Sequence, residues 1–356
     1  MAKTGGPLTG IRIVEMEAIG PVPLAAMILA DMGADIVRLV RPGAADIPVL
    51  GRSRATVEAD LKSEAGRAVA LDLIDRADAV IEGYRPGVME RLGLGPEVLQ
   101  GRNRKLVFGR MTGWGQTGPW APTAGHDINY ISVTGALHAM GRAGEPPSPP
   151  LNLVGDYGGG AMFLVSGVLA ALLRAASTGE GDMVDVAMTD GTITLLSMFH
   201  AFLAAGQWQD RREANLLDGG AHFYRCYACA DGKFVAVGCI EPQFYAECLK
   251  GLELDPADFP QMDVKRWPGF ADRWAARFAE RTRDEWAERF AGTDACVSPV
   301  LSFAEAPIHP HNAGRGSFVA ADGVTQAAPA PRFASSAARS APAERLSSDE
   351  AIARWT

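Results

Sequence analysis

Short apolar runs alternate with stretches of helical periodicity from the start of the chain. Residues 11–16 form a β-like run, 21–32 repeat apolar positions at helical spacing and 34–40 are apolar again, which predicts a βαβ unit. A helical pattern at 65–77, a run at 79–82 and another at 105–111 continue the alternation and suit a mostly parallel sheet. Helical patterns then cover 127–138, 157–174 and 192–205, the second opening on three glycines, with a strand-like run at 184–188 before the last.

The texture changes after the polar, glycine-containing stretch 206–220. Two β-like runs, 223–228 and 233–239, flank Ala230-Asp231-Gly232, a hairpin signal, and amphipathic helical patterns follow at 242–252 and 271–281. Residues 325–343 are rich in Ala, Pro, Ser and Arg, a composition that favours an extended arm over an independent core. The fold class expected is therefore α/β. A Rossmann-like large domain with a mostly parallel sheet spans 1–196 and is rejoined by an arm over 325–356; a linker covers 197–222, and a smaller α+β domain with a return linker covers 223–324.

Length agrees with two domains, because 356 residues exceed the roughly 250–300 at which single cores stop growing. The net charge of -8 argues against a general nucleic-acid or acidic-membrane binder, so an anionic ligand needs its own basic cluster. Five cysteines, an odd number without the spacing of a disulfide framework, point to reduced thiols and a cytoplasmic location. Residues 1–10 lack the basic and apolar run of a signal peptide. No apolar stretch reaches the roughly 20 uncharged residues of a membrane span, so 161–173 reads as a buried core helix.

A βαβ start invites a nicotinamide-binding reading, which needs a Gly-x-Gly-x-x-Gly turn so that the backbone approaches a pyrophosphate. Here the turn is Glu17-Ala18-Ile19-Gly20-Pro21-Val22-Pro23, with one glycine and two prolines that lack donors, so the fold class stays and the nicotinamide is dropped. Basic residues nevertheless gather in this part: Arg38, Arg41, Arg52, Arg54, Lys62, Arg85 and Arg91. Any one of them reads as solvated surface charge. As a cluster on an acidic chain, several after apolar runs where open α/β sheets collect ligands, they point to an organic phosphate.

Two segments carry proton-transfer candidates. Gly125-His126-Asp127-Ile128-Asn129-Tyr130 puts a histidine at the mouth of a helix, where free N–H groups favour a thioester oxygen turning into an enolate. Asn152-Leu153-Val154-Gly155-Asp156-Tyr157-Gly158-Gly159-Gly160 puts an acid at the start of the next helix, a position where Asp also serves as a plain N-cap. Inversion of a carbon needs one group on each side of a planar intermediate, in opposite protonation states, and a His and an Asp supply that pair. With reference pKa values of about 6.5 and about 3.9, burial must keep Asp156 protonated part of the time.

Together with Glu82-Gly83-Tyr84-Arg85-Pro86-Gly87 and Met111-Thr112-Gly113-Trp114-Gly115-Gln116-Thr117-Gly118-Pro119, these segments resemble the family III CoA-transferase (CaiB/BaiF-type) superfamily in its α-methylacyl-CoA racemase branch. The likeness runs over nearly the whole chain. The 125–130 segment is its most specific part, since transferases of the superfamily usually lack this histidine. The resemblance implies a racemase that interconverts (R)- and (S)-2-methylacyl-CoA thioesters by 1,1-proton transfer, without metal or nicotinamide, coenzyme A being part of the substrate.

It further implies that His126 and Asp156 are the acid/base pair, that Glu241 supports His126, that Asn152 orients Asp156 and that the Asp127 N–H holds the thioester oxygen. Arg38, Ala59, Asp60, Leu61, Lys62, Gly83, Tyr84, Arg85, Pro86, Gly87 and Arg91 would surround coenzyme A, with Gly125, Ile128, Asn129 and Tyr130 beside the reacting group. Members form interlocked homodimers, in which Glu241 acts within one chain or across the boundary; neither nucleic acid nor membrane is an expected partner. Met16, Met111, Met140, Met188 and Met198 are candidates for a flexible acyl-binding surface, though each is more ordinarily core.

The nearest rival is an acyl-CoA:carboxylate CoA-transferase with Asp156 as nucleophile. A non-catalytic acyl-CoA carrier would keep the basic cluster but need neither His126 nor Asp156. Cys226-Tyr227-Ala228-Cys229 has metal spacing without a second pair, and His309-Pro310-His311 lacks partners, so no metal site is expected at either. His138, His200 and His222 read as lone structural histidines.

Overall fold

A computed structural model describes residues 5–321, 323–334, 336 and 340–356; the first four residues and part of the expected arm over 325–343 lie outside the described residues. Strands β1 (Arg12–Met16), β2 (Asp35–Val40), β3 (Ala55–Glu58), β4 (Ala79–Glu82), β5 (Val107–Thr112) and β6 (Met183–Ala187) build one sheet. Around them run helices α1 (Pro21–Asp31), α2 (Glu64–Ile74), α3 (Val88–Arg91), α4 (Pro96–Arg102), α5 (Asp127–Ser132), α6 (Met162–Thr178), α7 (Met188–Leu195) and α8 (Ser197–Ala204). Local chemistry fixes several boundaries. Pro21 opens α1, the Ser63 hydroxyl accepts the Gly66 N–H at 3.0 Å to cap α2, and Gly179 at φ 77° closes α6.

The smaller sheet is antiparallel in the order β7 (Tyr224–Ala228), β8 (Phe234–Gly238), β9 (Val297–Pro299), and α9 (Pro242–Leu252), α10 (Trp267–Phe278) and α11 (Arg283–Phe290) accompany it. After α12 (Pro310–Arg315), a hairpin of β10 (Phe318–Ala321) and β11 (Val324–Ala327) leads to β12 (Glu344–Arg345) and α13 (Ser348–Arg354). The large sheet has the order β12-β3-β2-β1-β4-β5-β6, and every pair in it is parallel.

The apolar runs are continuous because both faces of this sheet are covered: all six residues of β5 are buried. One face packs Ile13, Ile36 and Ile81 against α1 and α6; the other packs Val14, Val37 and Val80 against Leu73, Leu99 and Trp355. Met16 belongs to the second group and is fully buried, so it is core and not part of an acyl surface.

The chain divides into two compact units, 1–136 with 150–197 and 311–356, and 137–149 with 198–310. In the second unit α9, α10 and α11 cover one face of the small sheet, with Tyr227, Val235, Trp274, Phe278 and Trp286 in its core. His222 is fully buried there with its Nε2 2.7 Å from the Tyr245 hydroxyl, and burial pushes its pKa down to about 3, which fits a structural, neutral ring. Within the stretch 197–222 stand α8 and Arg212, whose guanidinium donates to the carbonyls of His138, Arg142 and Glu145 at 2.8, 3.1 and 2.8 Å. These bonds draw 137–149 into the same unit.

Two helical patterns differ from expectation. The one at 127–138 stops as α5, with Val133 at its C-cap, and Gly135 at φ 91° then turns the chain. The one at 157–174 begins earlier, as a π-helical segment Leu153–Ala161 that runs on into α6. By length and composition the joined helix Leu153–Thr178, 26 residues, is apolar enough to cross a bilayer. Leu164 and Val168 are nevertheless fully buried in the sheet core, which makes it a core helix.

The π-helical segment touches α7 through glycine backbones: a Cβ on Gly159 would stand 2.7 Å from the Thr192 nitrogen, and one on Gly191 would stand 1.9 Å from the Gly159 oxygen. Gly191→Ala is therefore expected to force the two backbones apart and to destabilise the protein by about 1–3 kcal/mol or more, read as a lowered urea midpoint. An unchanged midpoint would contradict that contact.

Candidate active site

Strand order reverses between β1 and β4, and open parallel sheets bind ligands at such a reversal, beyond the carboxyl ends of the strands. A cleft of about 480 Å³ lies there, walled by the loops after β1, β4 and β5, by Met188 after β6, and by His126, Tyr130 and Asp156. Its apolar wall includes Ile19, Met111 and Trp114; Tyr84, Arg85, His126 and Asp156 supply the polar groups.

His126 immediately precedes α5 and its ring is exposed to the cleft. Its N–H donates to the Asn129 Oδ1 at 3.1 Å, while the Tyr130 hydroxyl donates to the carbonyl of Gly125. The Tyr130 ring lies against Gly113 and Gly125, where a Cβ would come within 2.0 and 2.6 Å of it, and meets Trp114 edge-on at 4.9 Å between centroids. These contacts hold the histidine backbone from both sides. Gly113 and Gly125 are thereby explained by close packing on one aromatic ring.

Asp156 lies inside the π-helical segment, whose N-cap is Asn152, so it does not cap a helix. Its N–H donates to the Asp127 Oδ2 at 2.7 Å, and its own Oδ2 accepts from the Asn152 amide at 3.3 Å. The side chain is half-buried and faces Gly20, where a Cβ would be 3.2 Å from Oδ2. Burial pushes the Asp156 carboxyl above its ordinary value; the Asn152 amide opposes this, the Asp127 charge adds to it, and a charged His126 would oppose it. Asp127 is itself buried, and its Oδ1 has no hydrogen-bond partner among the described residues.

The remaining expected residues spread more widely. Gly83, Tyr84, Arg85 and Pro86 line the cleft, and Gly87, at φ 80°, leads into α3, whose last residue Arg91 has its Nη1 3.1 Å from where a Gly87 Cβ would be. Arg38 is buried beneath, 3.9 Å from Glu15, which also pairs with buried Arg54, and its charge reaches Tyr84. Ala59, Asp60, Leu61 and Lys62 follow β3; Ala59 N–H bonds the Val40 carbonyl at 2.7 Å, and Asp60 and Lys62 are exposed, away from the cleft wall. Ile128 and Asn129 are exposed on α5. Glu241 belongs to the second unit, exposed at the N-cap of α9.

Of the candidate methionines, Met111 and Met188 line the cleft, while Met140 and Met198 lie in the second unit. Gly20, Ile19 and Trp114 were not singled out from the sequence. For Gly20 the available signal was its being the one glycine in the turn after β1, at φ 72°.

The two neighbours of Asp156 act in opposite directions. Asn152→Ala is expected to raise the Asp156 pKa further and Asp127→Asn to lower it, measured by carboxyl ¹³C NMR titration. Shifts of the same sign, or none, would contradict the charge arrangement.

The profile of CoA-transferase family III matches residues 8–349. The chain is 45% identical over 317 residues to alpha-methylacyl-CoA racemase from Homo sapiens, covering 88% of this chain and 83% of that protein. It is 45% identical over 325 residues to alpha-methylacyl-CoA racemase from Mus musculus, covering 91% and 85%. Its fold matches the crystal structure of a CAIB/BAIF family protein from Brucella suis with a TM-score of 0.80 over 98% of each chain, at 23% identity. With the strand order, the cleft and these likenesses together, the chain belongs to CoA-transferase family III.

Proposed function

We propose that this protein is a racemase of 2-methylacyl-CoA thioesters, using His126 and Asp156 as the two acid/base groups. The observation that carries the proposal is that both side chains open onto one cleft, each on its own backbone support, with the Asp156 carboxyl raised by burial. Likeness to the racemases supports the reaction class.

In this reading neutral His126 removes the proton next to the thioester carbonyl and the electron pair moves onto the carbonyl oxygen. The N–H of Asp127, in the first turn of α5 and without an intrahelical acceptor, bears on that developing charge. Protonated Asp156 then delivers a proton to the opposite face. For the other enantiomer the Asp156 carboxylate removes and imidazolium His126 delivers. Each positioned group contributes about 10²–10⁴ in rate. The half-buried setting of Asp156 suits this, because a carboxyl with a raised pKa spends more of its time as an acid.

The active form in this reading is a homodimer. Exposed Ile128, Val133, Leu151, Leu153 and Leu195 in the first unit supply apolar surface for such an association. A sedimentation mass of a single 37.7 kDa chain would count against it.

His126→Ala and Asp156→Ala are each expected to reduce racemisation by about 10² or more with circular dichroism and melting unchanged. Full turnover by either variant would refute the two-base scheme. A carboxylate-dependent transfer of coenzyme A that survives His126→Ala would favour the transferase alternative, with Asp156 as nucleophile.

A further inference from the structure

Beneath the cleft lies a buried charge cluster that the proton-transfer scheme leaves unused. Glu82, the last residue of β4, is fully buried. One of its oxygens accepts the Tyr84 N–H at 2.6 Å and the other accepts Arg110 Nε–H at 3.1 Å. Arg110 is the residue opposite Glu82 on β5 and is also buried. Its Nη1 and Nη2 donate to the two oxygens of Glu90 on α3, at 2.7 and 3.2 Å.

The pattern is a bracket. Glu82 stands immediately before the Gly83–Gly87 loop, Glu90 stands on the short helix immediately after it, and one guanidinium on the neighbouring strand grips both. Arg91, next to Glu90, reaches back to Gly87. Buried ion pairs contribute little net stability once desolvation is counted, so a fully buried Glu whose arginine partner also grips a second Glu in bidentate fashion calls for another use, such as fixing a geometry. What lies between its two ends is the loop whose Tyr84 and Arg85 face the cleft.

We propose that Glu82, Arg110 and Glu90 are positioning residues that lock the Gly83–Gly87 loop and Arg91 into the shape that binds the coenzyme A portion of the substrate. They set thioester affinity without touching the reacting atoms. The proposal rests on the CoA-thioester reading above. It separates these three residues from His126 and Asp156, whose loss acts on the chemical step.

The test is run at about pH 8, because burial pushes the Glu82 carboxyl up to about 7; it uses Glu82→Gln, which keeps the volume but removes the charge, and Glu90→Gln, whose side chain is 43% exposed and whose replacement spares the core. For wild type and both variants, the Kd of free coenzyme A is measured by titration calorimetry, and KM and kcat for racemisation by chiral analysis. Kd and KM are expected to rise together, about tenfold in Glu82→Gln for one lost charged hydrogen bond and less in Glu90→Gln, with kcat within about twofold. If Glu82→Gln fails to fold, Glu90→Gln alone decides. Unchanged Kd and KM, or a fall in kcat at unchanged KM, would overturn the clamp. Absence of coenzyme A binding by the wild type would instead remove the thioester reading on which the clamp rests.

Discussion

The hydrogen bond from the Asp156 N–H to the Asp127 carboxylate is the contact on which the site depends. It joins the π-helical segment to the start of α5, beside the packing of Gly155 on Ile131, and so brings an acid and a histidine to one opening. Gly155 makes it possible, since a Cβ there would come within 2.7 Å of the Asp127 Oδ2. The cost is a buried carboxylate with one oxygen unpartnered among the described residues, and that negative charge also helps to keep Asp156 protonated. One interaction thus sets position and adds to the rise in the Asp156 pKa that burial mainly causes.

The sheet supplies the place. Reversal of strand order between β1 and β4 leaves the loops after both strands free to diverge, and the loops after β5 and α7's start at Met188 close the sides. A dinucleotide-binding protein would fill the same crevice with a glycine-rich turn. Here Pro21 and Pro23 replace that turn, and its single glycine, Gly20, lets the backbone approach the Asp156 carboxylate instead. The fold class is common, and the first turn redirects its use.

Much of this was legible in the sequence where periodicity is strong. The first βαβ unit and the hairpin around Gly232 were readable because their strands are covered by helices or follow turn chemistry. Helix α9 was readable to the residue, since Pro242 starts it and its apolar face is regular. The π-helical segment was not, because glycines carry no apolar period and its geometry answers to α7 across Gly159 and Gly191. On spacing alone Asp156 reads as a helix cap, and Asn152 in the cap position is what separates it from that role. Met16 illustrates a simpler lesson: it shares a strand face with Val14, and that two-residue period directs it away from the cleft. The assignment of roles to His126 and Asp156 drew on family resemblance as well as on their helix-mouth positions.

The central claim is that one cleft removes and returns a proton at the carbon next to a thioester, with no second substrate. The most direct measurement incubates the purified protein with (R)-2-methylacyl-CoA in deuterated water, without any carboxylate acceptor, and follows configuration and α-deuterium together by NMR. Inversion accompanied by deuterium uptake is the expected result. Retention of both configuration and α-hydrogen, with coenzyme A transfer once a carboxylate is added, would contradict it.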